Sequence, residues 1–252
     1  MKINRIGEQF ISNEGYEVII VEYNNTNDVW VQFQDQHKAK VHTTYQNCRK
    51  GEVGNPYHRS VYGVGYLGVG KYKSRIDGKY TKEYLEWHSM LTRCYSEKYQ
   101  NKYSTYKDAL VNEYFHNFQN YCKWREDNYY EIEGEQMCLD KDILIKDNKE
   151  YSFNTMVFVP ERINKLFIKR DALRGDCPIG VSYHKASGKY MAKCNTLFNR
   201  KYLGLHNTPE EAFQAYKQFK ETYIKQIADE YKDKIPQRLY DAMYNWTVEI
   251  DD

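Results

Sequence analysis

The side chains best suited to chemistry sit in one short stretch, LDKDILIKDNKEYSFNT, residues 139–155. It opens with two carboxylates around a lysine, Asp140, Lys141 and Asp142, at the head of an apolar run with strand character. Carboxylate oxygen and water are the ligands that a hard cation such as Mg2+ or Mn2+ prefers. A cation so held, with a base beside it, activates water against a phosphodiester. On a strand, period two would set Asp140 and Asp142 on one face and Lys141 on the other. Asn164, further along in ERINKLFIK, would complete a ligand set of Asp140, Asp142 and Asn164. The competing reading is ordinary turn chemistry, because Asp and Asn close hairpins by hydrogen-bonding their own backbone.

A lysine between two carboxylates has its charged form favoured. Lys141 is therefore suited to stabilising phosphate charge rather than to removing a proton. His88 and His116 are the nearest histidines in sequence that could supply a base. The six cysteines, at 48, 94, 122, 138, 177 and 194, are scattered with no CxxC or CxxH pair, so no zinc is expected.

Charge is segregated behind a net value of only +2. Residues 179–207 carry Lys185, Lys189, Lys193, Arg200 and Lys201 and no acid, whereas residues 126–150 carry nine acids against three lysines. A basic face separated from an acidic one points to a polyanion partner. The acidic stretch is either a surface for a basic protein or a plain solvated face.

Elements must position these groups. With hydrophobic residues at 41% and charged residues at 29%, the chain can bury real cores. No apolar run approaches the roughly 20 residues of a membrane span, and MKINRIGEQF lacks a signal-peptide core. The expected setting is therefore the cytoplasm, with no membrane partner. In the first fifty residues GYEVIIVEY, VWVQF and AKVHTTY alternate with turns, and Val29, Val31 and Phe33 repeat with period two. That pattern predicts a small SH3-like β-barrel. Four glycines at 63, 65, 68 and 70 follow without the GK[ST] of a nucleotide loop, which predicts a flexible basic connector. From Thr81 to Trp124 two helical stripes emerge, Trp87, Met90, Leu91, Cys94 and Tyr95, then Leu110, Tyr114, Phe118, Tyr121 and Cys122. Arg93 borders the first, placed for a carboxylate or a phosphate. LDKDILI, TMVFVP and ERINKLFIK then predict a strand, a strand and a helix.

The last third predicts three strands and a helix. Ser187 and Gly188 turn the first hairpin, and Thr208-Pro209-Glu210-Glu211 is a capping box with proline at the first helical position. Ala212, Ala215, Tyr216, Phe219 and Tyr223 form the stripe facing the sheet. Tyr190, Ala192 and Cys194 would face that helix, leaving Lys189, Met191, Lys193 and Asn195 outward, joined by Arg200 and Tyr202. A basic, polar sheet face of this kind can enter a major groove.

Two resemblances follow from these residues. W-x-x-M-x-x-R-C-Y (87–95), LDKDIL and YS-x-x-T-x-x-FVP-x-x-IN (151–164) resemble phage-encoded HNH-like endonucleases over roughly residues 60–170. The resemblance implies a ββα-metal site acting on double-stranded DNA, with Asp140, Lys141, Asp142, Asn154 and Asn164 at its catalytic positions. Lys141 and Asn164 stand where that family places histidine, and Asn154 or Thr155 where it places the central asparagine. PIGVSYHKASGKYMAKCNTLFNRKYLGLHNTPEEAFQAYKQF resembles the AP2/ERF DNA-binding domain over about residues 178–231. It implies duplex contacts from Lys185, Lys189, Lys193, Asn195, Arg200 and Tyr202.

The expected fold is α+β. An SH3-like barrel spans 1–62, an HNH-like ββα module with preceding helices 63–172, and an AP2-like three-stranded sheet plus helix and helical tail 173–252. The expected function is a phage-type, sequence-specific DNA endonuclease using Mg2+ or Mn2+ in the bacterial cytoplasm. The alternative is a DNA-binding protein with a degenerate nuclease module, acting as a regulator or as an inhibitor of a host defence protein.

Overall fold

Alternating apolar residues build the first sheet as their period requires. In the computed structural model, which describes residues 4–168 and 177–252, β1 (Gln9–Ile11), β2 (Glu17–Asn25), β3 (Asp28–Phe33) and β4 (Lys40–Thr43) pair antiparallel in chain order. Val18, Ile20, Val29, Val31 and Phe33 are buried on its inner face. The sheet stays open with β1 and β4 as edges, which corrects the barrel expected over 1–62. The cause is local. Strand β4 is four residues long and runs into α1 (Tyr45–Lys50), whose cap Thr44 accepts the Asn47 N–H at 3.2 Å. The chain leaves the sheet before a closing strand can form.

The glycine-rich stretch is a docked segment rather than a flexible connector. A Cβ on Gly65 would overlap the Leu91 Cδ1 and lie 3.0 Å from the Trp87 ring, so glycine there permits a close backbone approach. The Tyr66 N–H donates to the His116 carbonyl at 3.0 Å, and the Phe118 N–H donates to the Tyr66 carbonyl at 2.9 Å. After the short hairpin β5 (Arg75–Ile76) and β6 (Lys79–Tyr80) come α2 (Lys82–Tyr95) and α3 (Glu97–Lys102). Strand β7 (Leu110–Val111) and α4 (Phe118–Asn128) follow. The first predicted stripe holds, with Trp87, Met90, Leu91 and Cys94 buried. The second breaks, because Leu110 and Tyr114 are exposed and the helix begins only at Phe118. Asn112 and Asn117 explain the break. Their side chains accept the Tyr114 and Gln119 N–H groups at 3.2 and 2.9 Å, turning the chain between them. Arg93 lies with its guanidinium 5.9 Å from the Tyr106 ring centre, while Arg125 is buried, held by Glu86 at 2.5 Å and Glu83 at 3.5 Å.

The chain divides into two units, 1–127 and 128–252, where the sequence predicts three modules. The second predicted boundary, at 172/173, lies outside the described residues. In the second unit β8 (Met137–Asp140) and β10 (Val157–Pro160) pair antiparallel, with Asp140 opposite Val157, and α5 (Glu161–Phe167) follows directly. The short β9 (Glu150–Tyr151) precedes β10. β11 (Val181–His184), β12 (Lys189–Asn195) and β13 (Arg200–His206) form the antiparallel three-stranded sheet. Then come α6 (Pro209–Tyr231) and α7 (Gln237–Tyr244). Thr208 accepts the Glu211 N–H at 3.2 Å and Glu211 accepts the Asn207 N–H at 3.0 Å, the expected capping box.

Helix α6 joins two cores. Its N-terminal half puts Ala212, Phe213 and Tyr216 against Val181, Ala192 and Cys194 of the sheet. Its C-terminal half puts Ile224, Ile227 and Ala228 against Ile143, Val157, Val159 and Ile163, and α7 adds Leu239 and Met243. The strand-strand-helix module is therefore built onto the C-terminal helices, far along the chain. All six cysteines are free, and no helix of the described residues is long and apolar enough to cross a membrane.

Candidate functional site

Asp140 ends β8, and its Oδ1 accepts the N–H groups of both Asp142 and Ile143 at 2.8 Å. This turn stops the strand, so Asp142 lies beyond it and the period-two argument does not reach it. Lys141, expected on the opposite face, is buried at 5% exposure. Its Nζ donates to Asp142 Oδ2 at 2.9 Å and to the Asn148 carbonyl at 2.9 Å. Asn148 returns the bond, its Nδ2 donating to the carbonyls of Lys141 and Glu150, each at 2.7 Å. The loop is thereby stapled across 141 and 148. Burial pushes the Asp140 carboxyl up to about 7, and the neighbouring Asp142 charge adds to the rise.

The remaining expected positions are set differently. Asn154 is exposed on the turn before β10, while Thr155 is buried with its hydroxyl donating to the Glu150 carbonyl at 2.6 Å. Asn164 is half-buried on α5. One oxygen of Asp140 holds two amide protons and one oxygen of Asp142 is paired to Lys141, so both aspartates are engaged within the loop. Among the described residues no group of three or more His, Cys, Asp or Glu could hold a metal ion. His88 and His116 both belong to the first unit. Burial lowers the His116 pKa, and its Nε2 faces the Tyr95 hydroxyl at 3.1 Å.

The sheet gathers its expected residues better. Ala192 and Cys194 are fully buried toward α6. Lys193 sits opposite Tyr202 and Asn195 opposite Arg200 in the β12–β13 register, so these four share the outer face at one end. The Arg200 Nε donates to Asn195 Oδ1 at 2.9 Å, which orients the guanidinium. A bulge between Ala192 and Lys193 leaves Leu203 as the extra residue, half-buried toward the core, while Lys193 and Tyr202 stay in step. Lys189 and the turn residue Lys185 are exposed at the other end. Between the ends lie Met191 and Leu205, a less polar strip than the charge pattern suggests. Three strands about 10 Å across and about 20 Å long fit a major groove about 12 Å wide.

Sequence reasoning misses Lys220. Its charge sets it apart from the predicted α6 stripe, yet it is 9% exposed and lines a cleft with Lys193 and Arg200. The signal is there to read, since Ala212, Tyr216, Lys220 and Ile224 are spaced by four. The acidic stretch 126–150 divides: Glu135 takes Arg162 at 3.0 Å and the Tyr231 hydroxyl at 2.6 Å and Asp140 and Asp142 shape the loop, whereas Glu126, Asp127, Glu131, Glu133 and Asp147 are exposed.

No protein-family model, curated protein or solved structure matches this chain.

Proposed function

We propose that this chain is a double-stranded-DNA-binding protein that uses the outer face of β11, β12 and β13, with the strand-strand-helix module as its structural platform. The observation that carries the reading is the cluster of Lys193, Asn195, Arg200 and Tyr202 on one face, within a segment free of acids. Its residues offer both kinds of contact a duplex needs: lysine and arginine for phosphate or guanine, asparagine for adenine, and an exposed tyrosine for packing. The resemblance of this region to AP2/ERF domains supports it. The resemblance to phage HNH-like proteins extends it to a regulator, or an inhibitor of a host defence protein, in the bacterial cytoplasm.

The test is a gel-shift titration of a genomic-fragment pool, with the selected duplex carried forward. Replacing Lys193, Arg200 and Tyr202 together by alanine should weaken binding roughly 100-fold, about 2.7 kcal/mol. It should also lower the salt slope by about 0.9 for each phosphate that the variant no longer neutralises. Unchanged affinity with an unchanged circular dichroism spectrum would reject the sheet as the interface.

A second reading, a metal-assisted endonuclease with Asp140, Lys141, Asp142, Asn154 and Asn164 in the catalytic positions, is favoured by one observation. Asp140 ends the first strand of a strand-strand-helix unit, where burial raises its carboxyl to about 7, a value suited to proton exchange at neutral pH. Nicking of supercoiled plasmid with Mg2+ or Mn2+, abolished by Asp140→Ala, would establish it.

A further inference from the structure

The buried stripe of α6 carries a charge at its middle. Ala212 and Tyr216 serve the sheet core and Ile224, Ile227 and Ala228 serve the strand-strand-helix core, with Lys220 between the two sets. An apolar side chain there would fuse the cores, so the lysine breaks the pattern of its own helix, as residues at functional positions do. Lys220 is 9% exposed, and no hydrogen-bond or ion-pair partner for it occurs among the described residues. The stem is buried while the ammonium keeps access to solvent, where something of opposite charge can reach it. Burial accordingly lowers its pKa, with only the Cys194 thiol opposing.

The place it faces is a cleft of about 700 Å³ within the second unit. Arg162 and Lys165 of α5, Lys193 and Arg200 of the sheet, and Lys220 of α6 line it, against one carboxylate among the described residues, Asp252. That carboxylate is occupied by Lys146 at 2.7 Å. Arg162 and Lys165 are paired with Glu135 and Glu161, each at 3.0 Å, which leaves Lys193, Arg200 and Lys220 without a carboxylate partner among the described residues. The walls are aromatic as well as basic. Phe198 is 80% exposed at the tip between β12 and β13, and the Trp246 ring meets Phe167 edge-on at 4.6 Å. A volume in the range of small-molecule sites, with cations converging from three elements and flat apolar walls, fits an aromatic ring carrying a phosphate.

We propose that this cleft is a phosphate-binding site for a nucleotide, with Lys220 as the buried countercharge, Lys193 and Arg200 as its outer partners, and Phe198 or Trp246 against the base. The phosphate can come from a free nucleoside monophosphate or from the phosphorylated end of a DNA strand. The proposal shares Lys193 and Arg200 with the sheet-face reading, but the two fail separately, because Lys220 is no part of that face and the first arm of the test contains no DNA.

In that arm, AMP, adenosine and inorganic phosphate are titrated calorimetrically into the full chain and its Lys220→Met variant. AMP should bind wild type at least tenfold more tightly than either fragment, and Lys220→Met should weaken AMP at least tenfold while keeping the circular dichroism spectrum. In the second arm, a short duplex is compared with and without a 5′-phosphate. A preference for the phosphorylated end that disappears in Lys220→Met also supports the site and assigns its source. Lys225→Ala, exposed on α6 and outside the cleft, should change binding less than threefold. If neither arm shows a phosphate preference that depends on Lys220, the proposal is overturned.

Discussion

Asp140→Asn separates a turn-forming carboxyl from a metal ligand through the pH dependence of stability. The amide keeps an oxygen to accept the Asp142 and Ile143 N–H groups, so the turn survives, and only the charge is removed. Burial raises the carboxyl from 3.8 to about 7, so between those values the folded protein holds a proton that the unfolded chain has released. By linkage the native state loses stability as pH rises through that window, and the full cost is present above about 7. About 3 units at 1.36 kcal/mol each set a ceiling near 4 kcal/mol. Asp140 is only half-buried, so we expect about 1–3 kcal/mol after screening. Urea titrations followed by circular dichroism should show Asp140→Asn and wild type nearly equal at pH 4, with the variant more stable by that amount at pH 8. Other titrating groups are shared by both proteins and cancel in the difference. A variant equally affected at both pH values, or less stable at pH 8, would refute the reasoning.

Lys141→Met should destabilise by about 1–2 kcal/mol, because the Asn148 carbonyl loses its donor and Asp142 its partner; a melting temperature equal to wild type would show that the staple contributes nothing. Gly65→Ala should cost about 1–3 kcal/mol, since the new methyl would overlap the Leu91 side chain, and equilibrium unfolding reads it directly. If the carboxylates stay engaged as they are, 5 mM Mg2+, on the order of a weak site's dissociation constant, should leave the melting temperature unchanged. A rise of about one to two degrees, the RT ln 2 expected when the cation equals its dissociation constant, that Asp142→Asn removes would instead reveal a cation site.

Much of the secondary structure is determined locally, and the sequence alone determined it here. The alternation at Val29, Val31 and Phe33, the capping box at Thr208, the hairpin at Ser187-Gly188 and the facing of Ala192 and Cys194 each depend on residues within a few positions of one another. Such signals are periodic or stereochemical, so they survive without knowledge of the rest of the chain. What the tertiary structure decided depends on distant partners. Whether four strands close into a barrel depends on where α1 takes the chain, and whether the glycines at 65 and 68 make a flexible connector or a close approach depends on α2 and Asn117 lying against them. Asp140, Lys141 and Asp142 read equally well as metal ligands or as turn residues, because residue type sets what a side chain can bond but not which partner arrives. The fold supplied Asn148 to Lys141 and backbone amides to Asp140, and it placed Lys220, one lysine among twenty-six by sequence, between two cores where no ordinary surface charge would sit.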